Sequence, residues 1–192
     1  IWLASYPKSG NTWVRSMVAS LLYTGDVLFN FQILDNIPQF PDNKYFKDFT
    51  NDLENFNEVK KYWATAQDKI NLDNEIKFFK THHINCKVGE HSFTDKSNTL
   101  ATIYIVRDPR SLVSSISHHF SKTIDESKKF LLTPKFLGGK ESKEKQKKNY
   151  IPTLIGTWAE HYNFWTKNNE NLLLIKYEDL INNTEAELKK IC

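Results

Sequence analysis

The chain has 192 residues, 26% of them charged and 40% hydrophobic, with a formal net charge of +3 at pH 7; this is enough for one domain with a buried sheet and flanking helices, and no second domain is needed. So small a positive excess gives no case for a nucleic-acid binder, which usually shows a strongly basic face, and suits a small anionic ligand better. Two cysteines, Cys86 and Cys192, are too few for a disulfide framework or a zinc site, no apolar run approaches the ~20 residues of a membrane helix, and no signal-peptide pattern precedes the first strand, so the expectation is a cytoplasmic protein with neither a nucleic-acid nor a membrane partner.

The apolar run Ile1-Trp2-Leu3-Ala4 reads as a strand, and Tyr6-Pro7-Lys8-Ser9-Gly10-Asn11-Thr12-Trp13 follows it as a tight turn that opens a helix. Pro7 fixes one backbone angle, Gly10 lets the chain approach an anion closely, and the N–H groups from Ser9 to Thr12 can converge on oxygens beside the Lys8 ammonium. The loop is not a Walker A motif, because the lysine precedes the glycine and Asn11 follows it. Val14, Met17, Val18, Leu21 and Leu22 recur at helical spacing, with Gly25 as a stop. Residues 26 to 75 are weakly patterned, are broken at Pro38 and Pro41, and predict short helices and loops beside the site.

Residues 75 to 84 read as a short strand with a polar exit at Lys80-Thr81-His82-His83, and residues 99 to 106 as a central strand covered on both faces. Arg107 follows directly; Asp108 and Pro109 then supply a cap and a first-turn proline for a helix with Leu112, Val113, Ile116 and Phe120 on its buried stripe. Residues 121 to 150 mix lysine with glutamate and read as a solvated helix and loop outside the core, with the lysines between 140 and 148 as surface. Leu154, Ile155, Trp158, Tyr162 and Trp165 form an aromatic stripe at helical spacing that core packing explains. Leu172 to Lys176 reads as a further buried strand, and Thr184 with Glu187 as a capping box for a last helix. The sequence starts inside a strand and stops inside a helix, so the expectation is a single domain over residues 1 to 192 that is incomplete at its C-terminus and a few residues short at its N-terminus.

Apolar strands alternating with amphipathic helices predict a three-layer α/β domain with a mainly parallel central sheet, whose ligands sit at the carboxyl edge of the strands. Lys8, Lys80 with His82, Arg107 and Tyr177 each fall at or just after a strand end, which gathers them on that edge. Strand alternation puts Lys80 and His82 on one face and Thr81 and His83 on the other.

The order Tyr-Pro-Lys-Ser-Gly-x-Thr-Trp resembles the 5′-phosphosulfate loop of the cytosolic-type sulfotransferases, whose domain is P-loop NTPase-like and whose donor is 3′-phosphoadenosine 5′-phosphosulfate (PAPS). Arg107-Asp-Pro-Arg-Ser-Leu-Val-Ser-Ser115 is similar to that family's 3′-phosphate block, Lys80-Thr81-His82 to the segment bearing its general base, and Tyr177-Glu178-Asp179 to its segment near the adenine. The resemblance implies that His82 is the base and that Lys8 and Lys80 stabilise the reacting group. It also implies that Lys8, Ser9, Gly10, Asn11, Thr12, Trp13, Arg107, Ser115 and Tyr177 hold the donor, with no metal. On the residues alone, Arg107 could instead make a surface ion pair, His83 could compete with His82, and Tyr177 and Trp13 could be structural. His83-Ile84 departs from the family's more frequent Leu-Pro, and no Arg-Lys-Gly segment is found in this sequence.

Two rivals remain open at this level: a P-loop-type kinase, which lacks its Gly-Lys-Ser/Thr here, and a non-catalytic nucleotide-binding module missing part of the pocket. The acceptor is expected to be a small molecule. Phe29, Phe31, Phe40 and Phe46 lean slightly toward an apolar or phenolic one, although core packing accounts for most of them. Asn182-Asn183-Thr184 matches a glycosylation sequon that in a cytoplasmic protein is only a helix cap.

Overall fold

The computed structural model describes residues 1–24, 31–139, 151–167 and 169–191. In chain order the first half carries β1 (Trp2–Ser5), α1 (Asn11–Tyr23), 3-10 turns at Phe31–Asn36 and Asn43–Tyr45, α2 (Phe56–Val59), a 3-10 turn at Lys60–Tyr62, α3 (Trp63–Ile70), β2 (Phe79–Thr81), β3 (Lys87–Val88) and β4 (His91–Ser92). The second half carries β5 (Thr102–Val106), α4 (Pro109–Phe120), α5 (Ile124–Leu132), β6 (Phe136–Leu137), β7 (Thr153–Leu154), α6 (Trp158–Thr166), β8 (Leu172–Lys176), α7 (Tyr177–Asn182) and α8 (Thr184–Lys189). Among the described residues no helix is long and apolar enough to cross a membrane. Gly25, Phe29, the lysines from 140 to 148 and Cys192 lie outside the described residues.

The central sheet has four strands in the order β2-β1-β5-β8, all parallel, with Trp2 opposite Phe79 and Thr102, and Thr102 opposite Leu172. Every carboxyl end therefore points to one edge. The period of two divides the side chains between two cores. Trp2, Ala4, Phe79 and Tyr104 pack with Phe40, Phe46, Trp63, Phe93 and Trp165 on one side. Leu3, Ile103, Ile105 and Ile175 pack with Val14 and Val18 of α1 and Leu180 of α7 on the other. A third cluster joins Tyr6 to Leu112 and Ile116 of α4, Phe130 and Leu131 of α5, and Ile155. The expected three-layer α/β architecture with a parallel sheet is present.

Several local expectations are corrected. Leu21 and Leu22 are 54% and 51% exposed, so the buried stripe of α1 consists of Val14 and Val18 with Met17 partly covered. The strand expected over 75 to 84 keeps only Phe79–Thr81, and the strand expected to start at 99 begins at Thr102. Within 121 to 150, α5 is not merely solvated: Thr123 and Glu126 form a reciprocal capping box, and Phe130 and Leu131 are buried. The aromatic stripe is split, because Leu154 pairs in β7 with Phe136 and Gly156 at φ 62° turns the chain before α6 starts at Trp158, capped by Thr157 and Glu160. Strand β8 lies at the sheet edge and is only partly buried. The last helix is capped by Asn183, whose side chain accepts from the Ala186 N–H at 3.2 Å, while Thr184 Oγ1 donates to the Leu180 carbonyl and Glu187 pairs with Lys190. The Asn one residue upstream takes the cap because its side chain reaches the N3 amide directly.

One strap extends the sheet past β2. The Lys80 N–H donates to the Pro38 carbonyl at 2.9 Å, the Phe40 N–H donates to the Lys80 carbonyl at 3.0 Å, and Gln39 pairs with Lys80 in parallel register. Ile37 and Phe40 on either side of Gln39 have no exposed surface.

Candidate functional site

The turn after β1 is held from within. The Ser9 N–H donates to the Tyr6 carbonyl at 3.3 Å, and the Asn11 side-chain amide donates to the Leu3 carbonyl at 3.0 Å and to Ser5 Oγ at 3.1 Å. Asn11 is thus a staple between the helix start and β1; what it can offer an anion is its backbone N–H. Gly10, at φ 96°, precedes the helix without a side-chain cap, and no acidic residue occupies the first turn. The N–H groups of Asn11 and Thr12 at the head of α1 are therefore open, while that of Trp13 already donates to the Gly10 carbonyl at 3.0 Å. Ser9 Oγ is buried with no hydrogen-bond partner, a donor aimed at nothing in the protein itself. Thr12 and Trp13 lie on the outer side, and Trp13 is 37% exposed and outside the buried clusters, so it does not anchor the core.

Tyr177 starts α7 at the end of β8 and lies against this turn. Its ring meets Trp13 edge-on at 6.1 Å and sits 4.2 Å from the Arg107 guanidinium. A Cβ on Gly10 would come within 2.5 Å of Tyr177 Cδ2. Gly10→Ala should therefore be destabilised both by its left-handed backbone, worth about 1–2 kcal/mol, and by the displaced ring. Gly89, at φ 63° with nothing within 4 Å of where a Cβ would stand, isolates the backbone part. Thermal unfolding should show a larger loss for Gly10→Ala than for Gly89→Ala; equal losses would refute the packing argument.

Arg107 leaves β5 and donates from Nη1 to the Lys8 carbonyl at 3.2 Å, tying two strand exits together. Its Nε is buried without a partner, and Asp108 is occupied elsewhere, gripping Arg110 through both carboxylate oxygens and capping α4. Arg110 holds the Asp108 carboxyl down at about 2. The surface ion pair offered as the simple explanation of Arg107 is not formed among the described residues, and Lys8 and Lys80 likewise make no ion pair there. The Asp108 N–H donates to Glu178 Oε1 at 3.1 Å, linking the β5 and β8 exits. Ser115 lies further along α4, on the helix that starts at this exit.

Phe79 and Thr81 of β2 are buried while Lys80 and His82 are partly exposed, as alternation requires. His82 Nδ1 lies 2.8 Å from the Ser5 carbonyl and 3.3 Å from Ser5 Oγ. A carbonyl can only accept, so Nδ1 carries the proton and Nε2 keeps its lone pair. Burial first, then the nearby Lys80 charge, hold the His82 pKa well below its usual value, so the ring is neutral at pH 7. Burial and Arg15 bring the Lys80 ammonium down to about 8.

His83 faces the other way. It stacks flat on Phe93 at 4.2 Å, meets Trp63 edge-on at 4.7 Å and is wholly buried, and its pKa falls to about 3 through burial. A third histidine, His161, sits on α6 among the residues of the aromatic stripe. Its Nδ1 lies 2.8 Å from the Tyr104 hydroxyl, and its Nε2 lies 3.1 Å from the His82 carbonyl, to which it can only donate. The tautomer is thereby fixed, and the His82 backbone is held from behind. Only the apolar company of His161 is visible in the sequence; Gln39, which accepts from Lys80 Nζ at 2.8 Å, and Arg15 give no local signal.

The decisive comparison is a family model for the sulfotransferase domain, which matches residues 1–192. The chain belongs to the sulfotransferase domain family. Sulfotransferase 2A6 of Rattus norvegicus is 28% identical over 196 residues, covering 99% of this chain and 57% of the relative. A 3-alpha-hydroxysteroid sulfotransferase of Cavia porcellus is 27% identical, covering 98% and 55%, and cytosolic sulfotransferase 7 of Arabidopsis thaliana is 24% identical, covering 100% and 54%. Among solved structures, a mouse sulfotransferase complexed with PAP shares the fold, with a TM-score of 0.53 at 20% identity over 100% of this chain and 55% of that one. The chain spans about half the length of the curated relatives it matches.

Proposed function

We propose that this sulfotransferase-family chain carries the donor site and the base for moving a sulfuryl group from PAPS to a hydroxyl or amine of a small-molecule acceptor, with adenosine 3′,5′-bisphosphate as product. The observation that carries the reading is the meeting, on one sheet edge, of an open helix start flanked by the unpaired Lys8 and Arg107 with a neutral His82 whose Nδ1 is already committed to Ser5. The buried, partnerless Ser9 Oγ and Arg107 Nε fit phosphate oxygens, which supply the acceptors both atoms lack.

PAPS supplies an activated sulfuryl group on a phosphate leaving group; the chain's residues bind, orient and move the proton. The N–H groups at Gly10, Asn11 and Thr12 and the Lys8 ammonium hold the 5′ end and stabilise charge on the leaving oxygen. Arg107 and Ser115 grip the 3′-phosphate, and Trp13 and Tyr177 offer their faces to the adenine. His82 Nε2 takes the proton from the acceptor, and Lys80 stabilises charge on the transferring group. We read residues 1 to 192 as one such domain and, since two relatives are named cytosolic sulfotransferases, as acting in the cytoplasm.

Titration calorimetry tests the donor site. Adenosine 3′,5′-bisphosphate should bind more tightly than AMP, and Arg107→Ala should weaken the bisphosphate by roughly tenfold to a hundredfold, since a charge-assisted contact is worth ~1.5 to 3 kcal/mol, while AMP is little changed. Equal affinity for the two nucleotides would sink the 3′-phosphate assignment.

A further inference from the structure

Lys80 has a built neighbour that the donor site does not use. Gln39 is exposed on its outer side, yet its backbone is fixed by the two main-chain hydrogen bonds that flank it and by the buried anchors Ile37 and Phe40. Phe40 lies within 5.6 Å of the Trp2 ring and 5.5 Å of the Phe46 ring, so the strap cannot shift without opening the aromatic core. Parallel pairing of Gln39 with Lys80 puts both side chains on the same face of the extended sheet, and alternation puts His82 there as well. Gln39 Oε1 accepts from Lys80 Nζ at 2.8 Å and is the sole hydrogen-bond acceptor of that ammonium among the described residues.

We propose that Gln39 is a positioning residue for the reaction: it fixes the Lys80 ammonium beside His82 through its amide oxygen and leaves its NH2 group facing the same space. The inference rests on the sulfuryl-transfer reading above. The charged groups acting on Lys80 are few. Arg15 on α1 repels the ammonium, Asp35 offsets part of the Arg15 charge, and His82, at the exit of the same strand, is neutral. A neutral carboxamide can hold the ammonium without pairing its charge. The cation thus stays available to a developing anion and its pKa stays near the working range, about 8.

The test reads Lys80 itself. In protein labelled at the lysine side chains, with Lys80 assigned through Lys80→Arg, the Lys80 signal should titrate near 8. Gln39→Met, close in shape but with no amide oxygen, should lower that midpoint, and Gln39→Glu should raise it. The same variants should move the alkaline limb of the turnover profile in those directions, and Gln39→Met should lower kcat by about tenfold with bisphosphate affinity unchanged. An unmoved Lys80 titration in both variants overturns the proposal whatever the activity. A moved titration with kcat and its pH profile as in the unaltered protein overturns the positioning role. Failure of the sulfuryl-transfer reading appears separately, as absence of transfer by the unaltered full-length protein.

Discussion

His82→Ala is expected to lower sulfuryl-transfer turnover by about 10²-fold or more while leaving bisphosphate affinity nearly intact. A positioned general base contributes roughly 10²–10⁴-fold, and His82 belongs to the strand exit beside the turn proposed to hold the donor, linked to it through the Ser5 carbonyl. His83→Ala should keep most of the turnover, assayed at a temperature where it remains folded. Its cost falls on stability instead, because the deleted ring is stacked on Phe93 and the Trp165 indole N–H donates to the His83 carbonyl within the same packed layer. Kinetics for the two variants, with calorimetry for the nucleotide, check the pair. The reverse result would move the base by one residue and place it on the wrong face of β2. Loss of nucleotide affinity in His82→Ala would instead make that histidine part of the donor pocket.

The second large effect is a loss of stability in mild acid. His83 and His161 have no exposed surface, and burial holds both near 3, against 6.5 for a free imidazole. Folded pKa values below the unfolded ones mean that the unfolded chain binds protons first as pH falls. The contribution is therefore fully present above 6.5 and is lost progressively down to about 3. Each group removes about 1.4 kcal/mol per pH unit in that window, so at pH 5 the two together cost about 4 kcal/mol relative to pH 7.5. His82 shifts in the same direction. Asp108, held near 2, is not yet protonated at pH 5 and adds nothing in this window. Urea unfolding at pH 7.5 and pH 5 measures the difference, and His83→Phe should shrink it by about 2 kcal/mol. Equal stability at the two values would mean that the rings are solvated in the folded protein.

The elements legible in the sequence are those whose signal is local. The loop from Tyr6 to Trp13, the strand before Arg107, and the Asp108-Pro109 helix start are set by residues adjacent in the chain, and they stand where the spacing puts them. The alternation argument also separates His82 from His83, since a strand turns every second side chain the same way. What stays hidden depends on distant partners. The strap at Gln39 exists only because Lys80 lies beside it, and His161 is anchored by Tyr104 and by the His82 carbonyl, groups far away in sequence. The packed side of α5 escapes a sequence reading because lysine and glutamate on its outer face mask Phe130 and Leu131 on the inner one. Phe40 and Phe46 are core, whereas Phe31 is 76% exposed, a difference that depends on which side of the chain the sheet occupies.

The sheet order also dictates when the site can come into being. β1 pairs with β2 and β5, and β5 must then wait for β8, so each ladder joins segments separated by most of a helix layer or more. Local helices can form early, but no strand of this sheet finds its partner next to it in the chain. Folding of this kind is slow and leaves apolar strands such as Trp2–Ser5 unpaired on the ribosome until later segments emerge. The turn after β1 is made long before the residue that completes its packing, Tyr177 at the end of β8, which lies against Gly10. Newly made chains are therefore most vulnerable to aggregation before that tyrosine is in place.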